Sequence, residues 1–241
     1  MKAAPEAQAA LLKLVDFDAK IKVIETRKRT LPEHEQLNQL NAQRRALADQ
    51  ATAATTRAND TTTAMARTED DLATARTRLT RDQQRIDDGV VNDARSIGSL
   101  QEEIAHLQGR ISELEDTQLE QMVSIEDDQK TATDATTHRT EIETQMRALI
   151  ASRDAATKAA DEEIADLGAQ RQTVTSGLPS DLVALYDRQA ERGSAAAAEI
   201  KAGRCTGCGL TIDALALRAA EEAAPEEVIR CPECSRILVR L

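Results

Sequence analysis

Aromatic residues are almost missing from this chain: Phe17 and Tyr186 are the only two, and there is no Trp in 241 residues. That scarcity argues against one or two ordinary globular cores of this size, which draw much of their buried area from aromatics. No run of eighteen apolar residues occurs, so no membrane-spanning helix is expected. Met1 to Ala10 contains no apolar core of the kind a secretory leader needs, and a cytoplasmic protein is the expectation. Basic charge is not in excess, since the chain carries a formal −11, which disfavours a strong general affinity for nucleic acid. His34, His106 and His138 are widely separated and read as exposed helix residues. No nucleophile stands beside a base and no phosphate-binding glycine loop is present, so nothing in the chain argues for an enzyme or a small-molecule substrate.

What the chain does have is Ala, Thr, Gln, Glu, Asp and Arg, with Leu and Ile at regular intervals, the composition of long helices with a narrow apolar seam. From Ile97 a three-four alternation runs through Leu100, Ile104, Leu107, Ile111 and Leu114. It continues in phase through Gln118, Gln121, Ile125, Asp128, Ala132, Ala135, Arg139, Ile142, Met146 and Leu149 to Ala160, Glu163 and Leu167. This is a heptad pattern of about ten repeats, a helix of roughly 105 Å. The polar entries Gln118, Gln121, Asp128 and Arg139 predict a looser middle.

An earlier arm matches it: Leu37, Leu40, Arg44, Leu47, Ala51, Ala54, Ala58, Thr61, Met65, Thr68, Leu72, Ala75, Leu79, Asp82 and Ile86. Between the arms lies Asp87-Asp88-Gly89-Val90-Val91-Asn92-Asp93, a turn with Asp93 as a helix cap. Folding there sets Ile86 against Ile97, Leu79 against Ile104 and Leu72 against Ile111, a constant residue-number sum of 183, as an antiparallel pair requires. The short turn favours a hairpin within one chain over a coil between chains.

Leu14, Phe17, Ile21 and Ile24 form an apolar face on a first helix that Pro32 ends, and this helix is the expected partner for Leu149 to Leu167. After Thr175-Ser176-Gly177-Leu178-Pro179, a short helix through Leu182, Val183, Leu185 and Tyr186 is expected, capped by Ser180 or Asp181. Arg192-Gly193-Ser194 then loosens the chain before a final segment beginning near Glu199. There Leu210, Ile212, Val228, Ile229, Ile237, Leu238 and Val239 suit short strands, with a helical turn within Ala214 to Ala224. The expected fold class is mainly α: a long antiparallel coiled-coil helical hairpin over residues 1–175 with its tip near 89–93, a linker helix over 176–198, and a small C-terminal zinc ribbon of short β-strands over 199–241.

The cysteines give the ribbon its chemistry. Cys205-Thr206-Gly207-Cys208 and Cys231-Pro232-Glu233-Cys234 are two pairs separated by twenty-two residues. A two-residue gap brings two sulfurs on one tight turn to one ion, and two such turns complete a tetrahedral thiolate set. Gly209 follows the first pair where such a knuckle needs positive φ. One structural Zn²⁺ held by Cys205, Cys208, Cys231 and Cys234 is expected, with iron in the same cage as the alternative. Two disulfides would need an oxidising compartment, and two redox motifs would each need a strand-then-helix context.

These parts together resemble the bacterial four-cysteine zinc-ribbon proteins with a long N-terminal coiled-coil hairpin, long filed as a domain of unknown function. The resemblance is carried by Cys205, Cys208, Cys231, Pro232, Cys234, Arg236, Ile237 and Leu238. Leu31-Pro32-Glu33, Leu100-Gln101-Glu102-Glu103-Ile104, and Leu178-Pro179 with Tyr186 add to it. Ser235 stands where the family usually has Gly, and Val239 lies near a usual aromatic. The resemblance implies a cytoplasmic bacterial protein with an adapter, chaperone-like or nucleic-acid-binding role.

Two functional readings follow. In one, the protein is a non-enzymatic scaffold or adapter for a protein partner. In the other, the ribbon contacts DNA or RNA through Lys201, Arg204, Arg230, Arg236 and Arg240, which flank the cysteine pairs. Residues 199–241 carry six Lys/Arg against seven Asp/Glu and no aromatic, so no net basic field or stacking platform supports the second reading.

Overall fold

The structure, a computed structural model, describes residues Met1–Gly193 and Ala195–Arg240. In chain order the elements are α1 (Pro5–Arg29), α2 (Pro32–Asp87), α3 (Ala94–Ser176), α4 (Ser180–Ala190), β1 (Ala197–Lys201), β2 (Arg204–Cys205), α5 (Ala214–Glu222), β3 (Ile229–Arg230) and β4 (Ile237–Val239). They form two compact units, Glu35–Leu149 and Met1–His34 with Ile150–Leu241.

The first unit is the helical hairpin. Its turn falls at the expected tip, with Gly89 at φ +69° and the Asp93 carboxylate accepting from the Ser96 N–H at 2.8 Å. The buried residues of the unit are Ala54, Ala58, Thr68, Leu72, Ala75 and Asp82 on α2 and Leu107, Leu114 and Ala135 on α3, every one a predicted seam position. Flanking pairs tie the arms: Arg57 to Asp128 at 2.6 Å, Arg76 to Glu115 at 2.6 Å and Arg78 to Glu103 at 2.7 Å. Some polar seam positions are less well satisfied: Gln121 Oε1 and the Nε atoms of Arg44 and Arg139 are buried without a hydrogen-bond partner among the described residues. Threonine, a modest helix former, is tolerated because its hydroxyl returns to the carbonyl four residues back, as at Thr52, Thr62, Thr77 and Thr136.

The second unit builds around α1, the last turns of α3, and α4. Arg27 meets Glu163 at 2.7 Å and Lys28 meets Asp161 at 2.6 Å, so α1 is the partner of the late return arm. The predicted seam slips here. Glu163 is exposed in its ion pair while Ile164 is half-buried, because a carboxylate leaves a seam readily when a cation waits outside. The helix predicted as a linker is a core element instead: Leu182 is fully buried and Tyr186 nearly so, beside Leu11 and Leu14 of α1. Its cap is also different. Pro179 occupies the N-cap position and its carbonyl accepts from Leu182 and Val183 N–H, leaving Ser180 and Asp181 inside the helix.

One four-stranded sheet, in the order β2-β1-β4-β3, sits on this helical base, with β1 and β4 parallel and the outer pairings antiparallel. β1 was not expected, since its alanines read as a loosened approach to the ribbon. Pairing with β4 overrides that propensity, and Ala196, Ala197 and Ala198 are buried. Ala202 and Gly203, both at positive φ, turn β1 into β2. Leu210 and Ile212, predicted strand residues, lie outside the strands; only Thr211 bridges to Arg204. The sheet alternates with period two. Ala197, Ile237 and Val239 enter the helical core, whereas Ala198 and Leu238 enter a second core with Cys205 and Cys231. The chain start joins in as well. Lys2 pairs with Glu227, and Gln8 Nε2 donates to the carbonyls of Ala3 and Pro225 at 2.8 and 3.0 Å.

Candidate metal centre

Two loops with one hydrogen-bond pattern create the site. In the first, Gly209 N–H donates to the Cys205 carbonyl at 2.8 Å and Cys205 N–H to the Leu210 carbonyl at 3.1 Å. In the second, Ser235 N–H donates to the Cys231 carbonyl and Cys231 N–H to the Arg236 carbonyl, both at 2.9 Å. Gly209 has φ +75° and Ser235 +61°, so the residue after each pair is left-handed. Serine in this conformation carries a steric cost of roughly 1–2 kcal/mol that glycine would avoid. The departure from Gly at Ser235 is therefore visible in the backbone, while the ligand set is untouched.

The four sulfurs lie within 4.8 Å of one another, with Cys205 Sγ to Cys234 Sγ at 3.9 Å and Cys208 Sγ to Cys231 Sγ at 4.0 Å. A tetrahedron of Zn–S bonds near 2.3 Å has edges of about 3.8 Å, so the donor set fits a single ion. The four are free cysteines, which sets aside the disulfide reading. Cys205 and Cys231 are buried, and Cys208 and Cys234 are half-buried. Burial pushes the Cys205 thiol up and the Cys231 thiol up to about 12. Burial acts on Cys234 too, but hydrogen bonds from Arg236 and the neighbouring cysteines outweigh it and bring that thiol down to about 7. An ion binding all four draws them together as thiolates.

The five candidate contact residues divide. Arg240 donates to the carbonyls of Ala220, Ala223, Ala224, Pro225 and Glu227, gathering the end of α5 and the loop after it. Arg236 Nε donates to the Ala195 carbonyl at 2.8 Å, and its stem covers Gly207, where an added Cβ would lie 2.6 Å from Arg236 Cδ. Arg204 donates twice to the Gly209 carbonyl, at 3.2 and 2.7 Å. Lys201 and Arg230 are exposed on their strands. Each engaged arginine ties down backbone carbonyls of a neighbouring segment, a role that charge counting along the sequence does not reveal.

A second polar cluster lies in the helical base. The Tyr186 hydroxyl donates to Asp18 Oδ2 at 2.8 Å, and Arg171 bridges Asp18 and Asp187 at 2.8 Å each, with its guanidinium 5.9 Å from the Tyr186 ring centre. Burial, then the Asp18 carboxylate, raises the Tyr186 phenol far above its ordinary range. A cavity of about 490 Å³ opens beside it, lined by Val15, Lys22 and Ala195 among others. Its polar groups are already paired, Lys22 with the Gly193 carbonyl at 3.0 Å.

A helical hairpin followed by a sheet that closes four cysteines into one cage defines a coiled-coil protein with a C4-type zinc ribbon. The model of the CT398-like coiled coil hairpin domain matches residues 14–194, that of the C4-type zinc ribbon domain matches 204–238, and the chain belongs to this family. Two uncharacterised proteins of Mycobacterium tuberculosis, from strains CDC 1551 and H37Rv, are each 33% identical over 248 residues, covering 100% of this chain and 98% of theirs. A solved structure from Mycobacterium smegmatis is similar at 30% identity with a TM-score of 0.82 over 100% of both chains. CT398 from Chlamydia trachomatis shares the fold at 14% identity, with a TM-score of 0.74 over 98% of each chain. No helix of the described residues is long and apolar enough to cross a membrane.

Proposed function

We propose that the protein is a non-enzymatic scaffold of the cytoplasm that binds other proteins, with its ribbon closed by one structural Zn²⁺ on Cys205, Cys208, Cys231 and Cys234. A four-thiolate site leaves no position for water or substrate, so the ion's work is to hold the fold. Four reduced cysteines suit a reducing compartment. The observation that carries the choice of partner is the use of Arg204, Arg236 and Arg240 to bind the ribbon's own carbonyls. Only Lys201 and Arg230 of the five flanking cations then remain for phosphate, too few for a firm grip on DNA or RNA. The test is recovery of the tagged full chain from native cytosol with and without nuclease, alongside metal analysis. About one zinc per chain and a protein partner that survives nuclease are expected. Recovery of RNA or DNA, with all partners lost on nuclease treatment, would overturn the scaffold reading in favour of the ribbon as a nucleic-acid reader. A metal-free native protein would remove the zinc.

A further inference from the structure

We propose that the outer face of α3 around Leu119, Met122 and Val123 is a docking surface for a basic amphipathic helix of a protein partner. This rests on the scaffold reading and gives it a place and a chemistry. The three side chains are 60%, 45% and 60% exposed. Their spacing of i, i+3 and i+4 puts them side by side on one helix face, the arrangement by which helices anchor one another. That face points away from the seam positions Gln118, Gln121 and Ile125, so packing within the hairpin does not account for it. Other exposed large apolar residues on the helices, Val23, Ile150 and Leu215, stand singly, as is ordinary on a protein surface.

Charge selects the occupant. From Ile111 to Gln129 there is no Lys or Arg, while Glu113, Glu115, Asp116, Glu120, Glu126, Asp127 and Asp128 are present. Arg110, Arg76 and Arg57 pair with Glu113, Glu115 and Asp128. Asp116, Glu120, Glu126 and Asp127 are exposed and make no ion pair among the described residues. Four free carboxylates therefore surround three apolar anchors. A second copy of this chain would bring the same acids face to face, and nucleic acid or an anionic membrane would be repelled. A helix with Leu or Ile on one stripe and Lys or Arg beside it matches both features.

The experiment uses the full-length protein with ¹³C-labelled methionine methyls and a synthetic Leu/Lys amphipathic helix of about three heptads as probe. The Met122 methyl is expected to shift on titration, while Met65 and Met146, half-buried in the seam, stay in place. The exposed double substitution Leu119→Ser with Val123→Ser keeps every charge and is expected to weaken binding at least about tenfold, the equivalent of roughly 1.4 kcal/mol. Changing Asp116, Glu120, Glu126 and Asp127 to their amides should flatten the salt dependence. Equal affinity for the double variant, or a silent Met122, would overturn the proposal, as would a dimer in sedimentation that Leu119→Ser dissolves. If the natural partner still binds the double variant, this surface falls and the scaffold reading stands.

Discussion

The hairpin unit and the head unit solve the same shortage of aromatic side chains by different means. In residues 35–149 burial is spread thinly: four of the nine buried seam positions are alanines, and Thr68 and Asp82 are buried as well. No layer contributes much, and stability accumulates through repetition along the two arms. In the head, Leu11, Leu14, Leu182, Tyr186, Ile237 and Val239 converge from three elements on one point. There a single residue carries a large share, and the small second core is built around the four cysteines. Redundant burial tolerates change, whereas convergent burial does not.

Three experiments test this contrast. Cys231→Ser should have the largest effect. Structural zinc sites return roughly 10 kcal/mol or more of apparent binding energy, which the ribbon would lose under the proposed structural role of the ion. Amide protection over β1–β4 is expected to vanish while far-UV helicity stays near wild type, as hydrogen exchange and circular dichroism would show. Retained protection in the ribbon would mean that its apolar core folds without the ion.

Truncation of one leucine in each unit comes next. Leu182 is fully buried among well-packed neighbours, and Leu182→Ala should cost about 3–4 kcal/mol. Leu72 is 3% exposed in a seam that can draw together, so Leu72→Ala should cost about 2 kcal/mol. Native-state hydrogen exchange reads each loss where it falls, and equal losses would erase the distinction between the units.

The smallest effect belongs to the tip. Hydrogen bonds from Ser96 hold the Asp93 carboxyl below its ordinary value. Its stabilising contribution is thus complete above the unfolded-state pKa near 3.8 and fades as pH falls through the lower folded value. Asp93→Ala should lower the melting temperature slightly at neutral pH, and the gap to wild type should close in acid. A gap that persists below that range would assign the loss to something other than the charged cap.

Legibility in the sequence followed the same division. The seam was readable residue by residue because a three-four spacing repeated over many turns leaves little freedom of register. The cysteine cage was readable because two-residue gaps have one geometric use here, and Gly209 marked the turn that Ser235 repeats. β1 was not readable: Ala195 to Ala198 has no strand propensity, and its pairing partner lies about forty residues later. The role of α4 was missed for a related reason. Leu182 and Tyr186 announce a helix, but only the arrival of α1 and the sheet makes it a core. The arginines of the ribbon looked like surface charge because the carbonyls they serve are set by tertiary structure.

The pairing of Met1–Ala3 with Glu226–Val228 has a consequence in time. Ala3 N–H donates to the Glu226 carbonyl at 2.7 Å and Val228 N–H to the Met1 carbonyl at 3.1 Å, joining residues more than two hundred positions apart in the chain. Contacts of such separation form slowly because the intervening chain must first be closed. During synthesis α2 and α3 can zip together as soon as both arms have emerged, using neighbours already made. Met1–Ala3 must wait, uncommitted, until Glu226–Val228 have also left the ribosome. The head therefore matures after the hairpin, and its completion registers that translation has passed the second cysteine pair.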